Sequence, residues 1–585
     1  MAQDIPQNAR KPDIPVLNWL LNYRRDDLAG DVIAGLTVAV MLVPQSLAYA
    51  LLAGLPPIAG LYASIIPVMI YGLLGSARVL TLGPTAITSV MTLGTIGAIS
   101  ISTGIDLSTL ALTLALFLGG VYLVMGVLRL GFIVNLLSRP VLVGYVNAAA
   151  IIIGISQLQH LFGISFERSS FPHIILWRTI QNLPQTNFTT LIIGLCGIAL
   201  LAFFRYPLDS ILKRLALPEL LRFTITRSGA LVLVMLSIVI VYGFDLNSTA
   251  DVAIIGTIPS GFPELTLSFD FTHWQPLLLG AIAIAFVGFM EDISTAKSLM
   301  TGREQKLSPN QELIAMGAAN IGAALTGGLP VTTSISRSAV NHAVGARTGL
   351  SSIIAGGMLA ITVIFLTRFF YYLPRATLAA IIITTVINLI DIKTMRELWR
   401  YSRSETGVML VTILSVFLFS IEIGILIGIV LSIVIYVYRT SRTPIVELGR
   451  DGYSEFYTDI QSEEAIPIPD VLILRIDESL YFANSQYLDR YLRNIVTERR
   501  DVKYLILVCS AVNTLDTSSI QILEELAKDF HASGIEILIS EMRSRAYSRL
   551  NSGELRDLIG KERFFNTTHE AVASTGQLLD DELPI

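Results

Sequence analysis

The sequence predicts an α-helical polytopic membrane protein, fourteen transmembrane segments arranged as a 7+7 inverted repeat, followed by a small cytoplasmic α/β domain. Three observations lead there. Of 585 residues, 53% are hydrophobic and only 15% charged, against about 25% charged in an ordinary soluble domain. Apolar runs, many near the roughly 20 residues that a spanning helix needs, fill the chain to about residue 440. Beyond that point short strand-like runs alternate with helix-like ones.

The runs lie near 32–53, 56–75, 85–101, 107–128, 134–158, 188–204, 229–244, 275–296, 311–326, 332–344, 351–371, 376–391, 406–420 and 422–438. Residues 1–30 are polar and end in Arg24, Arg25, Asp26 and Asp27, which reads as a cytoplasmic N-terminal segment rather than a cleavable signal. Charge orients the spans, because Lys and Arg are retained on the cytoplasmic side. Arg205, Lys213, Arg214, Arg222 and Arg227 join spans six and seven, and Lys393, Arg396, Arg400 and Arg403 join twelve and thirteen. Both connections then lie inside, as do Arg78, Arg129, Arg139, Lys297, Arg303, Lys306 and Arg347, with both termini cytoplasmic. The connection 245–274 holds Asp245, Asp251, Glu264 and Asp270 without a Lys or Arg, and lies outside. Arg168, Arg178, Arg368 and Arg375 keep the bias from being absolute.

The transporter domain is thus expected over 31–440, a linker containing EEAIPIPD over 441–470, and a soluble domain over 471–585. In the last, VLILRI (471–476), LYFA (480–483), YLILVC (504–509) and IEILIS (535–540) read as strands, and SSIQILEELAKDF (518–530) as a helix. Cys196 and Cys509 lack metal-ligand spacing and read as free structural thiols. A net charge of −5 gives no sign of nucleic-acid binding. There is no nucleotide motif, metal cluster or catalytic triad, so neither an enzyme nor a cofactor is expected, and any work must draw on ion gradients.

Two polar landmarks support the inverted repeat. LGPTAITSV (82–90) starts the third span and GLPVTTSIS (328–336) the tenth, with Pro330 placed 246 residues after Pro84; the same offset carries Gln45 to Glu291. An odd number of spans per half turns the second copy upside down. Irregular backbone at membrane depth is tolerated only where protein or a cavity surrounds it, so both spans read as half-helices that begin near the midplane. Proline suits a first helical turn. Each start carries roughly half a positive charge, and two starts facing each other make an anion site. Thr85, Thr88, Ser334 and Ser336 offer hydroxyls there, although such side chains more often bond back to their own helix. Arg337, some two turns into its helix, adds a charge that does not titrate. An arginine near a helix end often snorkels to a surface, but an intramembrane charge points to a functional site.

Glu291, amid AIAIAFVGFM, is costly if ionised alone. It reads as a proton carrier, as a cation ligand completed by Thr295 on the same helix face, or as a fixed partner of Arg337. Neighbouring Asp292 is an alternative for the role.

Five motifs together resemble the SulP anion permease family, also called solute carrier family 26. They are VPQSLAYALLAGLPPIAGLYASIIPVMIYGLLGSAR (43–78), GPTAITSV (83–90), FMEDISTAK (289–297), PVTTSISRSAVNHAVGARTG (330–349) and DTSSI (516–520). The resemblance runs nearly end to end. It implies core and gate domains, elevator-type alternating access, a homodimer, and a C-terminal STAS domain. It further implies an anion site lined by Gln45, Tyr49, Thr85, Ala86, Ile87, Ile335, Ser336 and Arg337, with Glu291 as the coupling acid. Cyanobacterial bicarbonate members are similar but have Asp in a sodium site, whereas Glu291 with Thr295 looks more like the sulfate branch. The function expected is H+-coupled sulfate uptake across a bacterial plasma membrane. Na+-dependent bicarbonate symport, anion exchange, or a channel or sensor signalling through the soluble domain are the alternatives. STAS-like domains resemble anti-sigma-factor antagonists, in which the residue after the motif's Asp is phosphorylated; that position is Thr517, although DTSSI also reads as a plain helix cap.

Overall fold

A computed structural model describes residues 15–21, 23–136, 138–166, 172–215, 218–300, 307–419, 421–452, 454–499, 501–550 and 555–577; Arg168, Arg303 and Lys306 lie outside them. The chain forms two compact units, Met1–Ser432 and Ile433–Ile585.

The first unit is helical. Helices α1 (Pro15–Leu21) and α2 (Arg25–Leu52) lead to a span broken by a tight turn into α3 (Pro57–Tyr62) and α4 (Ile66–Leu74). After a two-residue strand β1 (Leu82–Gly83) come α5 (Ala86–Thr103), α6 (Leu107–Val127), α7 (Arg139–Phe162), α8 (Pro172–Gln181), α9 (Phe188–Arg205), α10 (Pro207–Arg214), α11 (Glu219–Arg227), α12 (Gly229–Gly243) and α13 (Leu246–Thr249). The second half has α14 (Trp274–Met300), α15 (Pro309–Leu325), strand β2 (Thr332–Thr333), α16 (Ile335–Ala343), α17 (Leu350–Ile361), α18 (Arg375–Ile387), α19 (Ile392–Tyr401), α20 (Arg403–Leu418) and α21 (Ile421–Thr440). Local chemistry sets the ends. Gly104 and Gly163 close α5 and α7 in the left-handed conformation, and Asp106 and Asn187 cap α6 and α9.

Among the described residues ten helices are long and apolar enough to cross a membrane. Fourteen were expected. The other four segments are helices α12, α15, α16 and α20, of 15, 17, 9 and 16 residues. The α16 helix is short because its N-terminal portion is extended chain.

Helices α2 to α6 pack with α14 to α17, and α7 packs with α9, α18 and α20 in a second group that includes α12. The α6–α15 crossing brings backbone against backbone: a Cβ on Gly119 would stand 2.9 Å from the Gly317 carbonyl oxygen, and one on Gly317 3.0 Å from that of Gly119. Small residues let membrane helices approach to backbone contact, where dispersion replaces the absent hydrophobic drive.

Connections assigned by charge to one side meet one another. Residues 253–256 bond to 371–375, the Asp270 N–H donates to Thr113, and the Thr266 N–H to the Leu325 carbonyl. On the opposite set, the Ser76 and Ala77 N–H groups donate to Glu312, Gly131 to Asn310, and Arg347 and Thr348 to Asp31.

In the second unit, β3 (Ile445–Asp451), β4 (Tyr457–Asp459), β5 (Ala465–Ile466), β6 (Val471–Ile476), β7 (Tyr504–Val508), β8 (Glu536–Ser540) and β9 (Phe564–Phe565) form one sheet. Its order is β4-β3-β6-β7-β8-β9, with β5 on β3; β6 to β9 are parallel and β3 antiparallel to β6. Helices α22 (Ser485–Glu498) and α23 (Thr517–Ala532) make the crossovers, and α24 (Ser544–Leu550), α25 (Leu555–Ile559) and α26 (Thr568–Ser574) complete the unit. Apolar cores cover both sheet faces, as continuous runs such as VLILRI require.

Two expectations are corrected here. Residues 445–466, read as linker, are three strands: the alternation of IVELGRD supplies β3, whose polar positions hid it. Residues 480–483, read as a strand, contribute one bridge at Leu480 and then turn into α22; there Asn484 accepts from the Tyr481 N–H at 2.9 Å, closing a turn.

Candidate functional site

Where the two broken helices begin, their extended leads pair with each other. Leu82 faces Thr333 and Gly83 faces Thr332 in an antiparallel ribbon. The Ser334 N–H adds a bond to the Thr81 carbonyl at 3.1 Å. Buried side chains satisfy the neighbouring backbone groups. The Asn320 side chain accepts from the Val331 N–H and donates to its carbonyl, each at 2.9 Å. Ser338 accepts from the Thr81 N–H, and Asn341 donates to the Val79 carbonyl, both at 2.9 Å. Unpaired backbone in an apolar interior is expensive, and these residues remove that cost.

From opposite ends of the ribbon, α5 and α16 depart. Thr85 caps α5, accepting from the Thr88 N–H at 3.3 Å, and Ser334 caps α16, accepting from the Arg337 N–H at 3.5 Å. First-turn N–H groups of Ala86, Ile87, Ile335 and Ser336 have no intrahelical acceptor. The prolines play a different part from the one expected. Pro84 immediately precedes its cap, whereas Pro330 lies before β2, four residues ahead of its cap. Neither occupies the first helical turn. The caps are 249 residues apart, so the 246-residue spacing of the prolines, and with it the pairing of Gln45 to Glu291, is a near coincidence rather than the register of the repeat.

Arg337 is in the first turn of α16, not two turns in, and is completely buried. Its Nη1 donates to Gln45 Oε1 at 2.9 Å. Its Nε and Nη2 have no hydrogen-bond partner among the described residues. The guanidinium lies against Gly83, where a Cβ would stand 3.1 Å from Nη2. Gly83 also has φ +146, which side chains rarely adopt.

Around this group the expected residues divide. Gln45, Tyr49, Ala86, Ile87, Thr88 and Ser334 are buried, Thr85 partly so, while Ile335 and Ser336 are exposed. Tyr49 lies four residues after Gln45, on the same face of α2. A hydroxyl cluster forms that the sequence reading did not foresee: Thr332 Oγ1 is 2.7 Å from Thr88 Oγ1 and 3.2 Å from Thr85 Oγ1. Ser336 Oγ is 3.4 Å from Ser334 Oγ. A fixed cation with two unused donors, beside two helix starts and several hydroxyls, suits a small oxyanion.

Glu291 is buried in α14. Among the described residues no ion pair joins it to Arg337, so the fixed-partner reading is not realised. The buried Tyr145 hydroxyl of α7 faces it without closing a hydrogen bond. Thr295 donates to the Glu291 carbonyl at 2.6 Å, the back-bonding habit of helical threonines. Asp292 takes another route: Thr333 of β2 donates to its Oδ1, and its Oδ2 has no partner among the described residues. Glu312, not singled out by sequence, is buried and accepts from the Tyr71 hydroxyl at 2.6 Å, the Ser76 hydroxyl at 2.6 Å, and the Ser76 and Ala77 N–H groups at 2.7 Å. Only the tight turn at GSAR before the third span hinted at such a carboxylate.

In the second unit, Asp516 caps α23, accepting from the Ser519 N–H at 2.9 Å and the Phe482 N–H at 2.7 Å. Partial burial pulls its carboxyl up, but these N–H groups, the Ser519 hydroxyl and the charge of Arg549 outweigh that and hold it below the ordinary carboxylate range. Thr517, the first residue of α23, is exposed. Cys509 is buried, which pushes its thiol up to about 12.

A profile of the Sulfate permease family matches residues 28–412. The chain belongs to this family. The STAS domain profile matches residues 464–571, beginning within the segment that sequence had given to the linker. Sulfate transporter 4.1, chloroplastic, of Arabidopsis thaliana is 34% identical over 571 residues, 95% of this chain and 82% of the relative. A probable sulfate transporter of Mycobacterium tuberculosis is 33% identical over 554 residues, 94% of this chain and 96% of the relative. Among solved structures, the murine Solute Carrier 26 family member A9 anion transporter in its inward-facing state superposes with a TM-score of 0.88 at 23% identity, covering 98% of this permease and 97% of that chain. The transmembrane domain of the cyanobacterial bicarbonate transporter BicA gives 0.58 at 22% identity, over 70% of this permease and 98% of that chain. The permease is an integral membrane protein of a transporter family, not an enzyme.

Proposed function

We propose that the permease is a secondary active transporter that takes up sulfate together with a proton. In this reading the anion sits between the starts of α5 and α16, on the Nε and Nη2 donors of Arg337, with Gln45, Tyr49, Thr85, Ala86, Ile87, Thr88, Ser334, Ile335 and Ser336 around it. The observation that carries it is the buried guanidinium with only one of its three nitrogens engaged among the described residues. A buried charge left so is costly, and an oxyanion supplies both the counter-charge and the missing acceptors.

Glu291 is the proposed proton site. Buried, and without a cation in contact among the described residues, it suits a group that trades its charge for a proton. Sodium at Glu291 and Thr295 is the alternative: the Thr295 hydroxyl donates its proton to the helix backbone and keeps its oxygen lone pairs for a cation. Glu291 is on α14 and Tyr145 on α7, in different helix groups, so an elevator movement of one group along the other would part them. Fourteen crossings, cytoplasmic termini, a bacterial plasma membrane and a homodimer complete the reading.

Uptake of radiolabelled sulfate into proteoliposomes under an imposed proton or sodium gradient tests it. The proton gradient alone should drive accumulation, and Glu291→Gln should leave exchange but abolish accumulation. Uptake that stops when choline replaces sodium at fixed pH would assign the coupling to sodium.

A further inference from the structure

Beyond the site, α19 presents a face that transport chemistry does not use. Asp391 fixes its start, accepting from the Thr394 N–H at 2.9 Å and the Thr394 hydroxyl at 2.6 Å. One side is anchored: Thr394 and Leu398 are buried, and Leu398 packs on Val143 of α7 and Met409 of α20. The other side is open. At about 100° per residue, Ile392 and Trp399 share one line along the helix, Arg396 lies about 40° from it, and Lys393 and Arg400 about 80–100°. Ile392 is 63% and Trp399 66% exposed. Lys393, Arg396 and Arg400, with Ile392, Glu397 and Tyr401, line an open concavity of about 390 Å³. Among the described residues no ion pair engages any of the three cations. The Arg400 guanidinium stands 5.9 Å from the Tyr401 ring centroid.

We propose that this face binds the phosphate headgroup of an anionic phospholipid, with Ile392 and Trp399 among its acyl chains and Lys393, Arg396 and Arg400 on its phosphate. The pattern is that of a helix lying in the membrane interface: an apolar line, an aromatic at headgroup level, and cations beside them whose aliphatic stems run along apolar surface. Three cations against Glu397, which is farthest around the helix from Trp399, give the concavity net positive charge. A soluble phosphate would leave Ile392 and Trp399 in water. A lipid accounts for both halves of the face. The anionic lipids of the cytoplasmic leaflet are on the side to which charge assigns this connection. Because α19 packs on α7 and α20, the lipid would hold that helix group to one leaflet.

The test uses the full chain, purified from membranes holding equal phosphatidylglycerol and phosphatidylcholine, with retained lipid quantified by mass spectrometry. The native chain should retain phosphatidylglycerol over phosphatidylcholine by roughly 10-fold or more, as three cations near a membrane surface allow. A chain carrying Lys393→Ala, Arg396→Ala and Arg400→Ala should lose that preference and still take up sulfate in vesicles of neutral lipid, while Lys393→Arg should keep it. Equal retention by native and triple-substituted chains would overturn the proposal. So would release of the lipid by millimolar inorganic phosphate, or failure of a Trp399→Cys chain to be labelled at that position by a water-soluble thiol reagent in lipid-free detergent, which would show that the soluble domain or a second copy covers the face. None of these readouts depends on which ion is coupled to transport.

Discussion

Gly83 shows how little room the candidate site allows. A methyl there meets Nη2 of Arg337 at 3.1 Å and Leu42 at 3.3 Å, and the backbone has φ +146. Gly83→Ala is therefore expected to strain the ribbon by about 1–3 kcal/mol and to shift the guanidinium. Sulfate affinity, read by calorimetry, should fall by roughly 10-fold, since 1.4 kcal/mol is tenfold in a binding constant. Undiminished affinity would mean that the guanidinium position is immaterial. Cys509 and Asp516 show the same coupling of place to chemistry in the second unit. The Asp516 cap should contribute about 0.5–2 kcal/mol at neutral pH, lost in Asp516→Ala. Its folded carboxyl is held low, so the contribution is complete above the unfolded pKa of about 3.9 and fades as pH falls through the lower folded value. Denaturant unfolding of native and substituted chains should converge in acid; a difference that persists unchanged there would rule out the ionised cap.

Among the helices, the polar interruption GGLPVTTSISRSAV (327–340) is stable because other helices complete it. Asn320 of α15 mimics a backbone neighbour for Val331. In Asn320→Leu two buried backbone groups lose their partners, at about 1–3 kcal/mol each, so thermal unfolding in detergent should move several degrees down. A variant that melts with the native chain would show that Val331 finds other partners. That the third and tenth spans are broken was legible from glycine, proline and hydroxyl residues in apolar surroundings. The pairing partners were not, because Asn320, Ser338 and Thr332 act across the fold and leave no local signature. Proline misled the register for a related reason: its restriction suits the residue before a cap and the lead into a strand equally well, so two prolines at one spacing did not have to play one part. In the second unit β3 went unread because polar Glu447 and Arg450 interrupt its apolar pattern, while VLILRI and YLILV, buried on both faces, were plain.

For the whole molecule, hydropathy was enough to give a polytopic membrane protein, because the bilayer imposes long apolar runs on its spans, and the connections that charge grouped together bond to one another. They could not give the helix groups, which depend on glycine contacts such as Gly119 to Gly317 that have the same appearance in sequence as any flexible position. In the proposed function two half-helix starts and a buried Arg337 together hold the anion. Calorimetric titration of sulfate into the purified permease, native and Arg337→Gln, tests it most directly. Two charge-assisted hydrogen bonds at about 1.5–3 kcal/mol each would be lost, so the substituted chain should bind at least about 100-fold more weakly while melting as a folded protein. Sulfate binding of native strength by Arg337→Gln would show that the anion is held elsewhere.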